Sequence, residues 1–279
     1  MITRENIIER LSQKYPQYNF IPTEVTKNGD VHLKGICVRD NSPIAPTIYT
    51  DDIIKRCQDN LEEAVEIISN IIEQHQAPDI DLSKLQDKDF ILSRIRIGVQ
   101  KESSEDVVKR AVPEFPGMEA YLYFAEHGDN HDMWSIKIKN DLLATAGIDE
   151  DKAWRIAEKH TFEVTTLQSM TEVLAEMMGA DYDPCLAEMT PCEMYVISNK
   201  DKCKGAAGIL NHDLLRNFAT EHNCKSLCVL PSSLHEAILV PLHAEYNIDE
   251  FTAMVREVNS TQVAPEDVLV DRAYVIEFD

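Results

Sequence analysis

SLCVLPSSLHEAILVPL, residues 226–242, decides how the C-terminal half of this chain is read. Two apolar runs, SLCVL and AILVP, have the length and composition of buried strands, and PSSLHE (231–236) between them is too short for a crossover helix. The pair is therefore expected to be antiparallel. The connection also holds Ser232, Ser233, His235 and Glu236, the residue types of a hydrolase that pairs a hydroxyl nucleophile with an imidazole base. Adjacent side chains diverge on a strand or a helical turn, and no Gly-x-Ser-x-Gly elbow is present. The residues favour a helical turn, with Ser232 or Ser233 as N-cap and Glu236 reaching back to a backbone amide.

Outward from this pair, MYVISNK (194–200) and VLVDRAYVIEF (268–278) read as further strands, GILNHDLLRNFATEHN and DEFTAMVREVNST as helices. AYLYFAE and MWSIKI read as strands separated by HGDNHD (127–132), and ILSRIRIGV as a strand or mixed segment. Helices are expected over SSEDVVKRAV, capped by Ser103 or Ser104, from Asn140, from Asp149, and over VTTLQSMTEVLAEMM up to Gly179. Nearer the N-terminus, a helix opened by Thr3 carries Ile7, Ile8 and Leu11. It precedes a hairpin around Asn28-Gly29 with a type I′ turn. Beyond Pro46 comes a long helical pattern with Leu61, Val65, Ile68 and Ile72 on one face.

These elements predict an α+β protein: a mostly antiparallel sheet with packed helices, preceded by an N-terminal hairpin-and-helix unit. The polar segment 76–89 is the expected linker, between a unit at 1–78 and a main domain at 89–279.

The chain has 279 residues, 44% hydrophobic, and a formal net charge of −22. Such a charge repels phosphate backbones and anionic lipid surfaces, so direct nucleic-acid binding is not expected. No apolar run reaches the roughly eighteen residues of a membrane span, and the charged start is not a signal peptide. Seven scattered cysteines in a chain of this size point to reduced thiols in a cytoplasmic setting. Cys185, Cys192, Cys203, Cys224 and Cys228 form no Cys-x-x-Cys pair and are expected to be structural.

Two other stretches carry candidate chemistry. KDKCKGAAGIL (200–210) sets lysines and two glycines before a helical stretch, and Lys202, Lys204, Gly205 and Gly208 are its candidate ligands for an anion. The alternative is a loop that lets two backbones pass closely. His127 and His131 in HGDNHD offer imidazoles to a divalent ion, but no further ligand is recognisable and a polar hairpin loop is the favoured account. HEAIL lacks the second histidine of the zinc-protease helix, since position 239 is Leu239. No cofactor motif is present, and no cofactor is expected.

SNKDKCKGAAGILNHDLLRNFA, VLPSSLHEAILVP, REVNSTQVAPEDVLVDRAYVIEF and, near the N-terminus, APTIYTDDI resemble the bacterial family known as domain of unknown function 5688. The resemblance implies an origin in anaerobic Gram-positive gut bacteria, often on mobile elements, and implies no activity. A fainter similarity to domain of unknown function family 1444 covers the strand–helix–strand arrangement ending in a short turn, which there looks chemically different; this favours PSSLHE as architecture. The function expected from the whole is a non-enzymatic interaction or regulatory protein whose acidic surface meets a basic protein partner. The alternative is an anion-binding protein or hydrolase, which requires the 200–208 loop and the 231–236 turn to meet at one end of the sheet.

Overall fold

A computed structural model describes residues 2–40, 45–74, 84, 87–127, 133–179, 193–243 and 246–278. The expected linker lies almost wholly outside them. The chain divides into two compact units, residues 1–85 and 86–279.

The first unit begins with helix α1 (Arg4–Lys14), whose N-cap Thr3 accepts the Asn6 amide. Its buried Ile7 and Leu11 face a sheet ordered β1 (Asn19–Thr26), β2 (His32–Arg39), β3 (Thr47–Tyr49). The Asn-Gly hairpin forms, but not through a two-residue type I′ turn. Lys27 donates to the Val31 carbonyl across Asn28-Gly29-Asp30, and Gly29 and Asp30 both take positive φ, 68° and 57°. The long helical pattern is split into α2 (Asp51–Cys57) and α3 (Leu61–Gln74) by Gln58, whose φ is +51°. Val65 and Ile68 of α3 close the core on Phe20, Ile36 and Val38.

The second unit opens with α4 (Lys88–Arg94), which leads directly into β4 (Ile95–Lys101). Three more strands follow, β5 (Lys109–Ala111), β6 (Met118–His127) and β7 (Met133–Lys137), all antiparallel: β4 pairs with one edge of β6, and β5 and β7 pair with its two ends. The helix expected at 103–112 is absent. Val107 and Val108 are buried, and Val108 exchanges backbone hydrogen bonds with Leu122 and Ile138, so β-branched packing overrides the cap signal.

Helices α5 (Asn140–Thr145) and α6 (Glu150–Val164, capped by Asp149) come next. Residues expected to begin the following helix instead form β8 (Thr165–Ser169); helix α7 (Met170–Met178) starts only after Ser169, which forms a capping box with Glu172. β9 (Tyr195–Asn199) then enters a tight turn and a 3-10 segment, Gly205–Leu210, before α8 (His212–Glu221). β10 (Ser226–Leu230), β11 (Ala237–Leu242), α9 (Ile248–Thr261) and β12 (Tyr274–Glu277) complete the unit. The second sheet is ordered β12-β10-β11-β9-β8 and is antiparallel throughout.

The protein is thus α+β with antiparallel sheets. One core joins the two sheets of this unit: Ile95, Ile97 and Leu122 pack in one cluster with Ile197, Leu227, Val229 and Leu239. The buried 3-10 residues Ala206, Ala207 and Ile209 lie in that cluster, so the segment after Cys203 is fixed from below. Cys228, Leu230 and Val240 face the opposite way, against Val255 of α9.

Candidate functional site

PSSLHE is not a helical turn. Its backbone runs extended beside residues 267–269: Leu234 donates to the Asp267 carbonyl (2.8 Å), Leu269 donates to the Ser232 carbonyl (3.1 Å), and Ser233 bridges Val268. These long-range bonds hold the segment extended as a short strand beside residues 267–269. Ser233 is buried and its Oγ accepts the His235 amide at 3.1 Å, a local turn bond. Ser232 is half-buried and Glu236 exposed.

The turn and the 200–208 loop meet at one end of the five-stranded sheet. Ser198 Oγ donates to the His235 carbonyl (2.8 Å), the Ala206 amide to the Leu234 carbonyl (3.2 Å), and the Lys204 amide to His235 Nδ1 (3.3 Å). Two glycines permit this approach. A Cβ on Gly205 would stand 2.5 Å from the Asn199 nitrogen and 2.7 Å from the His235 carbonyl oxygen, and one on Gly208 would stand 2.8 Å from the Thr165 methyl. Both glycines are buried and serve close packing. The 3-10 segment they open has only six residues, too short to present a helix dipole to an anion.

Neither lysine points to a preformed anion site. Lys202 Nζ lies 3.7 Å from Glu176, and Lys204 Nζ sits 5.8 Å from the centre of the Tyr123 ring. His131 lies outside the described residues, as do Cys185 and Cys192, and His127 ends β6 with only its backbone described. Among the described residues no group of three or more His, Cys, Asp or Glu could hold a metal ion.

The loop contributes a residue that the sequence reading set aside as structural. The His235 pKa lies above the ordinary histidine value, and hydrogen bonding with Cys203 is the largest cause. Burial pulls the other way and Asp267 adds to the rise. His235 Nε2 stands 3.4 Å from Asp267 Oδ1. Because the Lys204 amide donates to Nδ1, the neutral ring carries its hydrogen on Nε2, facing Asp267. His235 thus has a thiol, Cys203, and a carboxylate, Asp267, among its neighbours.

Cys203 is half-buried on a turn with strained backbone: Lys202 and Lys204, its two neighbours, both have positive φ, 49° and 55°. Asp201 on the same turn is tied to Arg96 of β4 at 2.7 Å. Beneath lie Tyr121 and Tyr123 of β6, whose phenols burial pushes well up, Tyr123 to about 12. Of the other described cysteines, Cys57 and Cys228 are buried and Cys37 and Cys224 half-buried, all as free thiols.

An α+β protein with a thiol, an imidazole and a carboxylate gathered at the end of an antiparallel sheet is the class these observations define. The family model described as "Family of unknown function (DUF5688)" matches residues 3–277, and the chain belongs to that family. No curated protein and no solved structure matches it.

Proposed function

We propose that the protein is a thiol-dependent acyl-transfer enzyme or hydrolase, with Cys203 as nucleophile, His235 as base and Asp267 as the group that orients the imidazole. The observation that carries this reading is one histidine ring held between the strained turn of Cys203, whose Lys204 amide donates to Nδ1 at 3.3 Å, and Asp267, 3.4 Å from Nε2. In the reaction His235 takes the thiol proton on Nδ1, giving up the bond from the Lys204 amide, as sulfur attacks a carbonyl carbon. The same proton passes to the departing alcohol or amine, leaving a thioester on Cys203. Water, deprotonated by His235, then releases the acid and restores the thiol. The reducing environment that keeps such a thiol active suits a cytoplasmic location.

p-Nitrophenyl acetate is the test substrate. Expected are a burst of p-nitrophenol, one acetyl group mapped by mass spectrometry to Cys203, and loss of both in Cys203→Ala. Acetylation of Cys203 no faster than of Cys37 and Cys224 overturns the proposal.

The second reading is a non-enzymatic protein that engages a basic partner through its acidic surface. It is supported by the net charge of −22 and by Leu174, Met177 and Met178, which leave an apolar side of α7 exposed. It expects salt-sensitive binding of a cationic peptide that Cys203→Ala leaves unchanged, measured by calorimetry.

A further inference from the structure

Asn199 closes the turn that carries Cys203. It is the last residue of β9, its exposure is 6%, and its side-chain amide reaches the backbone of Cys203 from both sides. Nδ2 donates to the Cys203 carbonyl at 2.7 Å and Oδ1 accepts the Cys203 amide at 3.2 Å. Its main-chain carbonyl accepts the Lys202 amide at 3.0 Å. One buried residue therefore supplies the donor and the acceptor that a neighbouring strand would otherwise give Cys203.

The bracket spans a segment that would not hold its shape alone. The left-handed region is strained for lysine, and Lys202 and Lys204 both adopt it. Such backbone persists only where its surroundings fix it. On the far side there is no slack, since Gly205 already packs against the Asn199 backbone nitrogen. A displacement of about 1 Å in a reacting group costs roughly a hundredfold in rate.

We infer that Asn199 is a positioning residue for the Cys203 thiol, holding the strained turn so that sulfur meets the His235 ring. This rests on the proposed thiol chemistry. The test is the rate of S-alkylation of Cys203 by iodoacetamide, resolved by peptide mass spectrometry across pH, in the full-length protein and in Asn199→Ala, His235→Ala and the double variant.

Each single substitution is expected to slow Cys203 about tenfold or more and to remove the His235-dependent step from its pH profile. The double variant should be no slower than the slower single one, because both act on one contact. Cys224 serves as internal control and should not change. Asn199→Asp, which keeps the acceptor for the Cys203 amide and loses the donor to its carbonyl, should fall between wild type and Asn199→Ala. It carries the test if the alanine variant does not fold. An unchanged rate and pH profile in the folded Asn199 variants overturns the inference, as does a fully multiplicative loss in the double variant. If His235→Ala itself leaves Cys203 alkylation unchanged, the thiol reading fails as well, an outcome distinct from a loss in His235→Ala with none at Asn199.

Discussion

Two polar clusters in the second unit differ in one respect, and the difference separates scaffold from site. Around Glu119 everything is closed. Its carboxylate, on a side chain only 8% exposed, accepts from Gln100 Nε2 and Ser103 Oγ at 2.8 Å each and pairs with Lys109 at 3.2 Å. Lys137 in turn donates to Gln100 Oε1 at 2.7 Å and to Glu105 at 2.5 Å. Around Cys203 the backbone is strained, the thiol and imidazole are half-buried, and the histidine is shared between two partners. A satisfied network clamps the 102–107 loop over the sheet; the other cluster keeps a thiol and an imidazole within reach of solvent.

The comparison breaks most sharply at Gly205. The Cβ of Gly205→Ala would collide with two backbone atoms, the Asn199 nitrogen and the His235 carbonyl oxygen, as well as with Ser198 Oγ. A loss of about 3 kcal/mol in stability is expected from denaturant unfolding. Cys203 alkylation should slow in whatever folded fraction persists. Wild-type stability in that variant would mean that the loop and turn are not held together as tightly as the glycine contact implies.

Next in size is Glu119→Gln, which leaves Lys109 without its charged partner in a largely closed network. Chemical denaturation should report a loss of about 2 kcal/mol, with Cys203 alkylation unchanged. A change in thiol reactivity would show that the two clusters are coupled. The same network has a pH signature. Burial pushes the Glu119 carboxyl up, but hydrogen bonds from Gln100, Ser103 and Lys109 outweigh it and leave the pKa below the ordinary value. A depressed folded-state pKa contributes stability that is present above the unfolded value and lost as pH falls through the folded one. Wild type should therefore lose stability on acidification in a step that Glu119→Gln lacks.

The sequence made most of this architecture legible, and its failures share a cause. Short apolar, β-rich runs marked β6, β9, β10 and β11, and Thr3, Asp149 and Gly179 marked helix ends where they occur. Missed were β5 and β8, where local cap signals at Ser103 and threonine-rich residues after Val164 were read as helix. In both, pairing with a distant strand decides, and no local window contains it. The capping box at Ser169 and Glu172 did offer a visible restart signal for α7.

The site divides the same way. His235 and the Lys-rich loop stood out because their chemistry is local. Cys203 did not, because a cysteine earns attention only from its neighbours, and its neighbour is His235 from the next connection, which in turn meets Asp267 from the stretch paired with that connection. Ser232 and Ser233 drew the eye as nucleophiles because they are close in sequence to the histidine. In space, the Ser233 hydroxyl serves a backbone amide.

The smallest effect is the most specific to the site. In Asp267→Asn the carboxylate that helps raise the His235 pKa is gone, while the Cys203 contact, the larger cause, persists. The His235 pKa should fall part of the way toward the ordinary histidine value, read from its ring proton in an NMR titration. Because a raised histidine pKa contributes stability that is full below the unfolded value and lost as pH rises through the folded one, the wild type should lose this contribution on going from mildly acidic to neutral pH. The variant should lose less over the same interval. Both charges are about one-third exposed, so the stability difference is small beside that of Glu119→Gln. An unmoved His235 titration would remove Asp267 from the site and leave a thiol–imidazole pair.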